Sequence, residues 1–176
     1  MRKASRFEEL FLPHLDAAYS VARWIVKKDQ DAQDVVQEAY ARALKGFSGF
    51  RGDNPRAWLL TIVRNTAYSW IKKQLNDEKL IPFDERTHAM PVEVVPSELS
   101  QERRRQLLEK ALNRLPAKSR EVLVLFEIER SSYKEIAATL NLRLGTVMSR
   151  LNRARRRLQQ EITQVRDGEI EEELLG

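Results

Sequence analysis

The stretch SYKEIAATLNLRLGTVMSRLNRARRRL (132–158) decides the fold, because its apolar residues have the spacing of a helix-turn-helix. Its first part predicts a helix over 133–140. Asn141 falls at the turn, where a residue that tolerates positive φ is needed. A second helix is predicted from about Gly145. The residues expected to face inward are Tyr133, Ile136, Ala137, Leu140, Leu142, Val147, Leu151, Ala154 and Leu158.

The other side of the second predicted helix is rich in arginine, which indicates DNA binding. The major groove admits one helix, whose N-terminal residues reach the base edges. Arginine can bind guanine through two hydrogen bonds, and further arginines neutralise phosphates. The base-reading candidates are Thr146, Ser149, Arg150 and Arg153, and the phosphate-binding candidates are Arg143, Arg156 and Arg157. The alternative interpretation is a helical hairpin with a solvated basic face.

Charge is distributed unevenly along the 176 residues, whose net charge is +5. Residues 1–75 hold 13 Lys/Arg and 8 Asp/Glu, and residues 101–165 hold 15 and 7. The stretch between them, and the last eleven residues, are acidic. Basic segments attract polyanions, of which DNA is the commonest partner.

Helical spacing recurs through the rest of the chain and predicts an all-α fold of two small helical domains. A first segment over 7–27 is interrupted by Pro13, and a second helix is predicted to begin at Asp31 as N-cap. Its apolar face is expected to include Leu44. Asn54-Pro55 has the N-cap and first-residue signature of a third helix. The predicted organisation is a domain over 1–75, an acidic linker over 76–101, a helix-turn-helix domain over 102–165, and a mobile acidic tail over 166–176.

Several classes of function are disfavoured by what the sequence contains. There is no cysteine, and His14 and His88 are far apart, so we expect no metal and no cofactor. No apolar stretch is long enough to insert into a membrane, which predicts a cytoplasmic protein. No nucleophile–base pair or phosphate-binding glycine loop is present, so we expect no enzyme.

Four blocks together resemble the extracytoplasmic-function class of bacterial sigma factors, which belong to the sigma-70 family. The blocks are DAQDVVQEAYARAL (31–44), FRGDNPRAWLLTIVRN (50–65), LNRLPAKSREVLVLFEIERSSYKEIAATLNL (112–142) and GTVMSRLNRARRRL (145–158). The resemblance extends over roughly 150 residues. It implies that the protein directs RNA polymerase to promoters and helps to open the −10 region.

The first two blocks resemble region 2 of these factors, which contacts both polymerase and DNA. The resemblance implies docking on the β′ clamp coiled coil through Asp34, Gln37, Glu38 and Arg42. It also implies that loop 49–54 captures a flipped −10 base, with Phe50 as the stacking surface. The implied −10 contacts are Phe50, Arg51, Gly52, Asp53, Asn54, Arg56, Arg64, Asn65 and Lys72. After Asn65 the chain departs from many relatives, which carry an acidic residue and a further arginine there.

The last two blocks resemble region 4, which binds the −35 element and the polymerase β flap. The resemblance also implies an anti-sigma factor as a further partner. Two alternatives stay open at this point. A sigma-like decoy would titrate a regulator without binding DNA, and an ordinary repressor or activator would explain 130–158 but not the blocks in 31–65.

Overall fold

The structure is a computed structural model that describes residues 2–78 and 101–175, with eight α-helices. The predicted linker therefore lies almost wholly outside the described residues. The α-helices are α1 (Arg2–Phe11), α2 (Leu15–Val26), α3 (Asp29–Gly46), α4 (Pro55–Glu78), α5 (Gln101–Arg114), α6 (Ala117–Leu123), α7 (Tyr133–Leu140) and α8 (Leu144–Leu175). Short 3₁₀ turns span Leu12–His14 and Phe47–Gly49, and a π-helical turn spans Val124–Ile128. The described residues are helical without strands, which confirms the all-α prediction.

The chain divides into two compact units by its internal contacts. The first unit comprises Met1–Phe83 and Val124–Met148, and the second comprises Asp84–Leu123 and Ser149–Gly176. These bounds differ from the predicted domain boundaries because α7 packs against α4 within the first unit. The division into two functional domains therefore stays a prediction.

Helices α1 to α4 build the core of the first unit around an aromatic cluster. Phe11 is fully buried at its centre, and its ring centroid lies 5.3 Å from that of Trp58 and 5.8 Å from that of Phe47. Phe7 joins the same cluster at 4.8 Å from Phe11. As predicted, the helix breaks at Pro13, because proline cannot supply the N–H of a continuous helix.

Two expectations for α3 are wrong. Asp31 is not the N-cap, since the helix begins at Asp29 after Lys28, which has extended backbone angles. Leu44 is 44% exposed, whereas Val35 and Ala39 are buried. The buried side of α3 is therefore rotated toward Val35 and Ala39, and Leu44 lies outside it.

The beginning of α4 follows the sequence prediction. The Asn54 side-chain Oδ1 accepts a hydrogen bond of 3.0 Å from the backbone N–H of Ala57, which makes Asn54 the N-cap. Pro55 is the first helical residue, where its missing N–H costs no hydrogen bond.

Helix α7 occupies the predicted residues and begins with a capping box. The Ser132 hydroxyl accepts a hydrogen bond of 3.1 Å from the Glu135 N–H, and a Glu135 carboxylate oxygen accepts one of 2.7 Å from the Ser132 N–H. The helix ends at Asn141, whose φ of 52° is left-handed as predicted. The Leu142 N–H then bonds the Ala137 carbonyl at 2.9 Å, which turns the chain sharply before α8.

In the second unit, the residues from 166 onward, which were predicted to form a mobile tail, continue a helix. Helix α8 continues to Leu175, and Val165 is buried. The Lys110 Nζ of α5 lies 2.8 Å from a carboxylate oxygen of Glu169, whose side chain is largely buried. Residues 158, 161, 162, 165 and 169 are all at least half-buried at helical spacing, so the buried stripe of the second predicted helix extends beyond residue 158 and there includes two glutamates.

Within 2–78 and 101–175, none of the helices combines the length and the apolar character needed to cross a membrane.

Candidate nucleic-acid interface

The first turns of α8 present a basic surface with a polar centre. Val147, Leu151 and Ala154 are buried, so the opposite side of the helix faces outward. Of the predicted residues, the structure leaves Arg143, Ser149, Arg153, Arg156 and Arg157 exposed. Thr146 and Arg150 are half-buried. They flank the exposed face, whereas Ser149 and Arg156 lie at its centre on the helical wheel.

Two exposed residues of this surface, Met148 and Asn152, were not among the DNA-reading candidates predicted from the sequence. Met148 is 47% exposed and precedes Ser149 on the outer side of the helix, and Asn152 follows one turn later. Leu144 adds a second exposed apolar side chain at the start of α8. The signal was present in the sequence, because both positions lie outside the buried stripe of Val147 and Leu151.

Loop 50–54 rests on the aromatic cluster of the first unit. The Phe50 ring centroid lies 5.0 Å from that of Trp58 and 5.7 Å from that of Phe11, so this side chain is half-buried. Arg51, Gly52 and Asp53 are exposed beside it. Gly52 lies beside the Phe50 ring, where a Cβ would make an ordinary van der Waals contact at 3.4 Å. The loop thus has one packed aromatic anchor and an exposed rim that carries one arginine and one aspartate.

A polar stripe continues along α4 from this loop. Asn65 and Lys72 are exposed and lie two helical turns apart on the same side. The Arg64 guanidinium lies 5.0 Å from the centroid of the Tyr68 ring, within the range of a cation–π contact. Arg64 is therefore partly restrained, and it retains a half-exposed position along the stripe.

The first turn of α4 is engaged by residues that follow the π-helical turn. The Arg56 Nη1 donates a hydrogen bond of 2.7 Å to the Ser131 hydroxyl, and Nη2 donates to the Glu129 carbonyl oxygen. Arg56 Nη2 also lies 3.5 Å from a Glu129 carboxylate oxygen. The Asn54 Nδ2 donates a hydrogen bond of 3.0 Å to the Glu135 carboxylate. Sequence reasoning assigned both Asn54 and Arg56 to DNA and did not find these partners.

Burial and charge in this cluster shift three pKa values. Burial raises the pKa of Glu129, against the opposing effects of a Ser20 hydrogen bond and the Arg56 charge. Burial also tends to raise the pKa of Glu135, but hydrogen bonds from Asn54 and Ser132 bring that pKa below its ordinary value. Burial and the neighbouring Arg56 charge lower the pKa of His14. These groups share one electrostatic environment, in which the Arg56 charge is balanced by the two carboxylates.

The predicted polymerase-binding residues share one side of α3. Gln37, Glu38 and Arg42 are exposed and Asp34 is half-buried. Arg42 forms an ion pair with Glu38 one turn earlier. Leu44, whose side chain was predicted to be buried, lies on the flank of this surface two turns after Gln37. The face therefore combines charged groups with one exposed leucine.

Among the residues that the structure describes, no three His, Asp or Glu side chains are grouped so that they could hold a metal ion. His14 is half-buried beside Arg56, and His88 lies outside the described residues.

Comparison with known protein families assigns both parts of the chain. Residues 10–76 match the model of Sigma-70 region 2, and residues 105–158 match that of Sigma-70, region 4. These two matches define a sigma-70 type transcription factor. The order of the two matched regions is that of the four sequence blocks.

Individual relatives narrow this assignment. The chain is 30% identical over 154 residues to the ECF RNA polymerase sigma factor SigE of Mycolicibacterium smegmatis, covering 86% of this chain and 60% of that relative's length. It is 31% identical to the RNA polymerase sigma factor YlaC of Bacillus subtilis, covering 80% of this chain and 82% of that protein.

Among solved structures, the chain is similar to the sigma factor RpoE in its complex with the anti-sigma factor NepR from Bartonella quintana. The identity is 32%, the TM-score is 0.71, and the match covers 90% of this chain and 97% of that one. The chain belongs to the extracytoplasmic-function RNA polymerase sigma factors, which are transcription initiation factors and not enzymes.

Proposed function

We propose that this protein acts in the bacterial cytoplasm and divides promoter recognition between its two sigma regions. Region 2 binds polymerase through α3 and holds the −10 strand with loop 50–54 and α4. Region 4 reads the −35 element with the exposed side of α8. The observation that supports this division best is the arginine-rich face of α8, combined with matches to both sigma-70 regions in one chain.

The residues proposed for each contact follow from their positions on these elements. For polymerase, Asp34, Gln37, Glu38 and Arg42 contact the β′ clamp coiled coil, while region 4 contacts the β flap. For the −10 strand, loop residues 50–54 and the α4 stripe of Arg64, Asn65 and Lys72 lie along one side of the first unit. Arg56 joins them once it is released from its present partners.

An anti-sigma factor is proposed as the regulatory partner. The Bartonella relative was solved bound to such a factor, and the likeness extends over 90% of this chain. A decoy that titrates an anti-sigma factor without binding DNA is the alternative function. The decoy interpretation requires no basic recognition surface, and this chain keeps five exposed candidate residues on that surface.

Transcription in vitro tests the proposed function directly. Core polymerase with and without this protein would be supplied with a genomic promoter library, and the transcripts would be sequenced. The expected result is initiation at a shared set of promoters with two conserved elements. Binding to core polymerase without initiation would instead support the decoy, and no response of either kind would contradict the proposal.

The exposed methionine of α8 yields a prediction about base preference. An apolar side chain at a base edge contacts the thymine methyl group, which is the only apolar group that base pairs present in the major groove. Replacing the contacted thymine with uracil in the −35 element should weaken holoenzyme binding by about 0.8 kcal/mol, or roughly fourfold. Met148→Ala should abolish this difference. An equal response to uracil in both proteins would show that Met148 does not contact the methyl group.

The exposed leucine of α3 yields a second prediction, about polymerase. Leu44→Asp should weaken binding to core polymerase by at least about fivefold, because a charge would replace the exposed apolar side chain at the edge of the proposed contact. Leu75→Asp is the matched control, since Leu75 is also exposed but lies near the end of α4. Fluorescence anisotropy with labelled factor measures both. Equal affinities for the two variants would place the polymerase contact elsewhere.

A further inference from the structure

Helix α8 is longer than the part of it that the family match includes. The match to region 4 ends at residue 158, whereas α8 continues as one helix to Leu175. The residues proposed to read the −35 element all lie before residue 158. We call the remaining part of the helix, residues 159–175, the α8 extension, and no DNA contact is proposed for it.

The α8 extension is held within the second unit at two points. Val165 is buried, with 4% of its surface exposed. One turn later, a carboxylate oxygen of Glu169 lies 2.8 Å from the Nζ of Lys110 in α5. The Glu169 side chain is 10% exposed and that of Lys110 is 30% exposed, so this ion pair is better shielded from water than an ordinary surface pair. Removing either partner would leave the other charge partly buried without this counterion.

The other charged residues near this end of α8 lie in a different environment. Arg166 and Asp167 form an ion pair of 3.3 Å, but more than half of each side chain is exposed. Glu171 is exposed as well. Exposed ion pairs contribute little to structure. Of these residues and Glu169, only Glu169 is largely buried, and its partner comes from another helix.

The position of this contact along α8 allows it to restrict the direction of the DNA-reading residues. Leu151 and Ala154 are buried on the side opposite those residues and lie about 4.5 Å apart along the helix axis, whereas Leu151 and Glu169 lie about 27 Å apart. The tilt of a rigid helix is restricted more tightly when its supports are farther apart. For equal freedom of movement at each support, adding the contact at Glu169 narrows the range of tilt about sixfold.

We propose that Lys110 and Glu169 are positioning residues for −35 recognition, because their ion pair fixes the direction of α8 and so orients Ser149 and Arg153 toward the base edges. The inference rests on the proposed function, in which α8 reads the −35 element. Neither residue of the pair contacts DNA. The pair affects hydrogen bonds to bases, which need close alignment. It affects phosphate contacts much less, because they are largely electrostatic and depend less on angle.

Two variants of the full chain test the proposal, Glu169→Gln and Lys110→Gln. Both remove the ion pair, but they change the net charge in opposite directions. Loss of the pair predicts the same effect in both variants, whereas a net-charge effect on DNA binding predicts opposite effects. Glu171→Gln and Lys118→Gln are the matched controls, because they make the same charge changes at exposed positions.

The first readout is binding of the holoenzyme to a promoter found by the transcription assay and to the same promoter with a scrambled −35 element. The ratio of the two dissociation constants measures discrimination. Glu169→Gln and Lys110→Gln should each lower this ratio about three- to tenfold, because imperfect alignment weakens the hydrogen bonds to bases. Both controls should stay within about twofold of the natural protein. Unchanged ratios, or changes of opposite sign in the two variants, would overturn the proposal.

Exchanging the two charges tests whether the ion pair itself is responsible. The double variant Lys110→Glu with Glu169→Lys restores opposite charges at the same two positions. Its discrimination should therefore return to within about twofold of that of the natural protein. A loss as large as in the single variants would show that the ion pair does not orient α8.

The second readout is hydrogen exchange of the backbone amides in 149–157. Their protection should stay within about threefold of that in the natural protein in both single variants, because the pair orients this part of α8 and does not keep it folded. Loss of protection there, together with loss of discrimination, would give the pair a merely structural role and overturn the proposal. If the natural holoenzyme itself did not discriminate between the two promoters, the proposed function would fail as well.

Discussion

Phe11→Ala is expected to lower the free energy of unfolding of the first unit by about 3–5 kcal/mol. Phe11 is fully buried and touches aromatic rings from three other parts of the unit, so alanine would leave a cavity that helices cannot easily close. Loop 50–54 rests on the same cluster through Phe50. The variant should therefore also lose promoter opening at temperatures where the natural protein is active.

Urea unfolding followed by circular dichroism measures the stability change. Leu12→Ala is the matched control, because Leu12 is the next residue but is exposed, and it should change stability by no more than about 0.5 kcal/mol. Similar losses for the two variants would show that Phe11 does not anchor the core. Loss of transcription without loss of stability would show that the function of loop 50–54 does not depend on the stability of the aromatic cluster.

Arg153→Ala is expected to weaken binding to the −35 element by about 1–3 kcal/mol if this exposed arginine of α8 reads guanine. The loss should depend on the identity of one base pair. Discrimination against other bases at that position should fall with it. The half-buried Arg150 stays a second candidate with the same expected signature, and the two variants identify which arginine carries it. A uniform loss on all sequences would assign the side chain to phosphates.

Holoenzyme binding to a series of promoters with single −35 substitutions measures this effect. Arg166→Ala is the control, because Arg166 is an exposed arginine on the same helix, 13 residues or about 20 Å further along. It should change affinity by less than about twofold. A loss as large for Arg166 as for Arg153 would mean that the whole length of α8 contacts DNA.

The sequence by itself determined where several helices of this protein begin, end and break. The N-cap at Asn54, the first-turn Pro55, the left-handed Asn141 and the break at Pro13 depend on neighbours within about four residues. The buried stripe of the helix-turn-helix depends on helical periodicity alone. These features, together with the order of four sequence blocks, sufficed to predict the all-α fold and the sigma factor family.

Only the tertiary structure decided which polar side chains are paired with residues distant in the sequence. Arg56 meets Ser131 across 75 positions of sequence, and Asn54 meets Glu135 across 81. Glu169 near the acidic end of α8 meets Lys110 from 59 positions away, a partner that the sequence pattern did not predict. Leu44 is exposed because Val35 and Ala39 fill the buried arc of α3. Helical periodicity specifies which side of a helix is apolar, but the partner of a charged or aromatic side chain depends on which distant segment packs beside it.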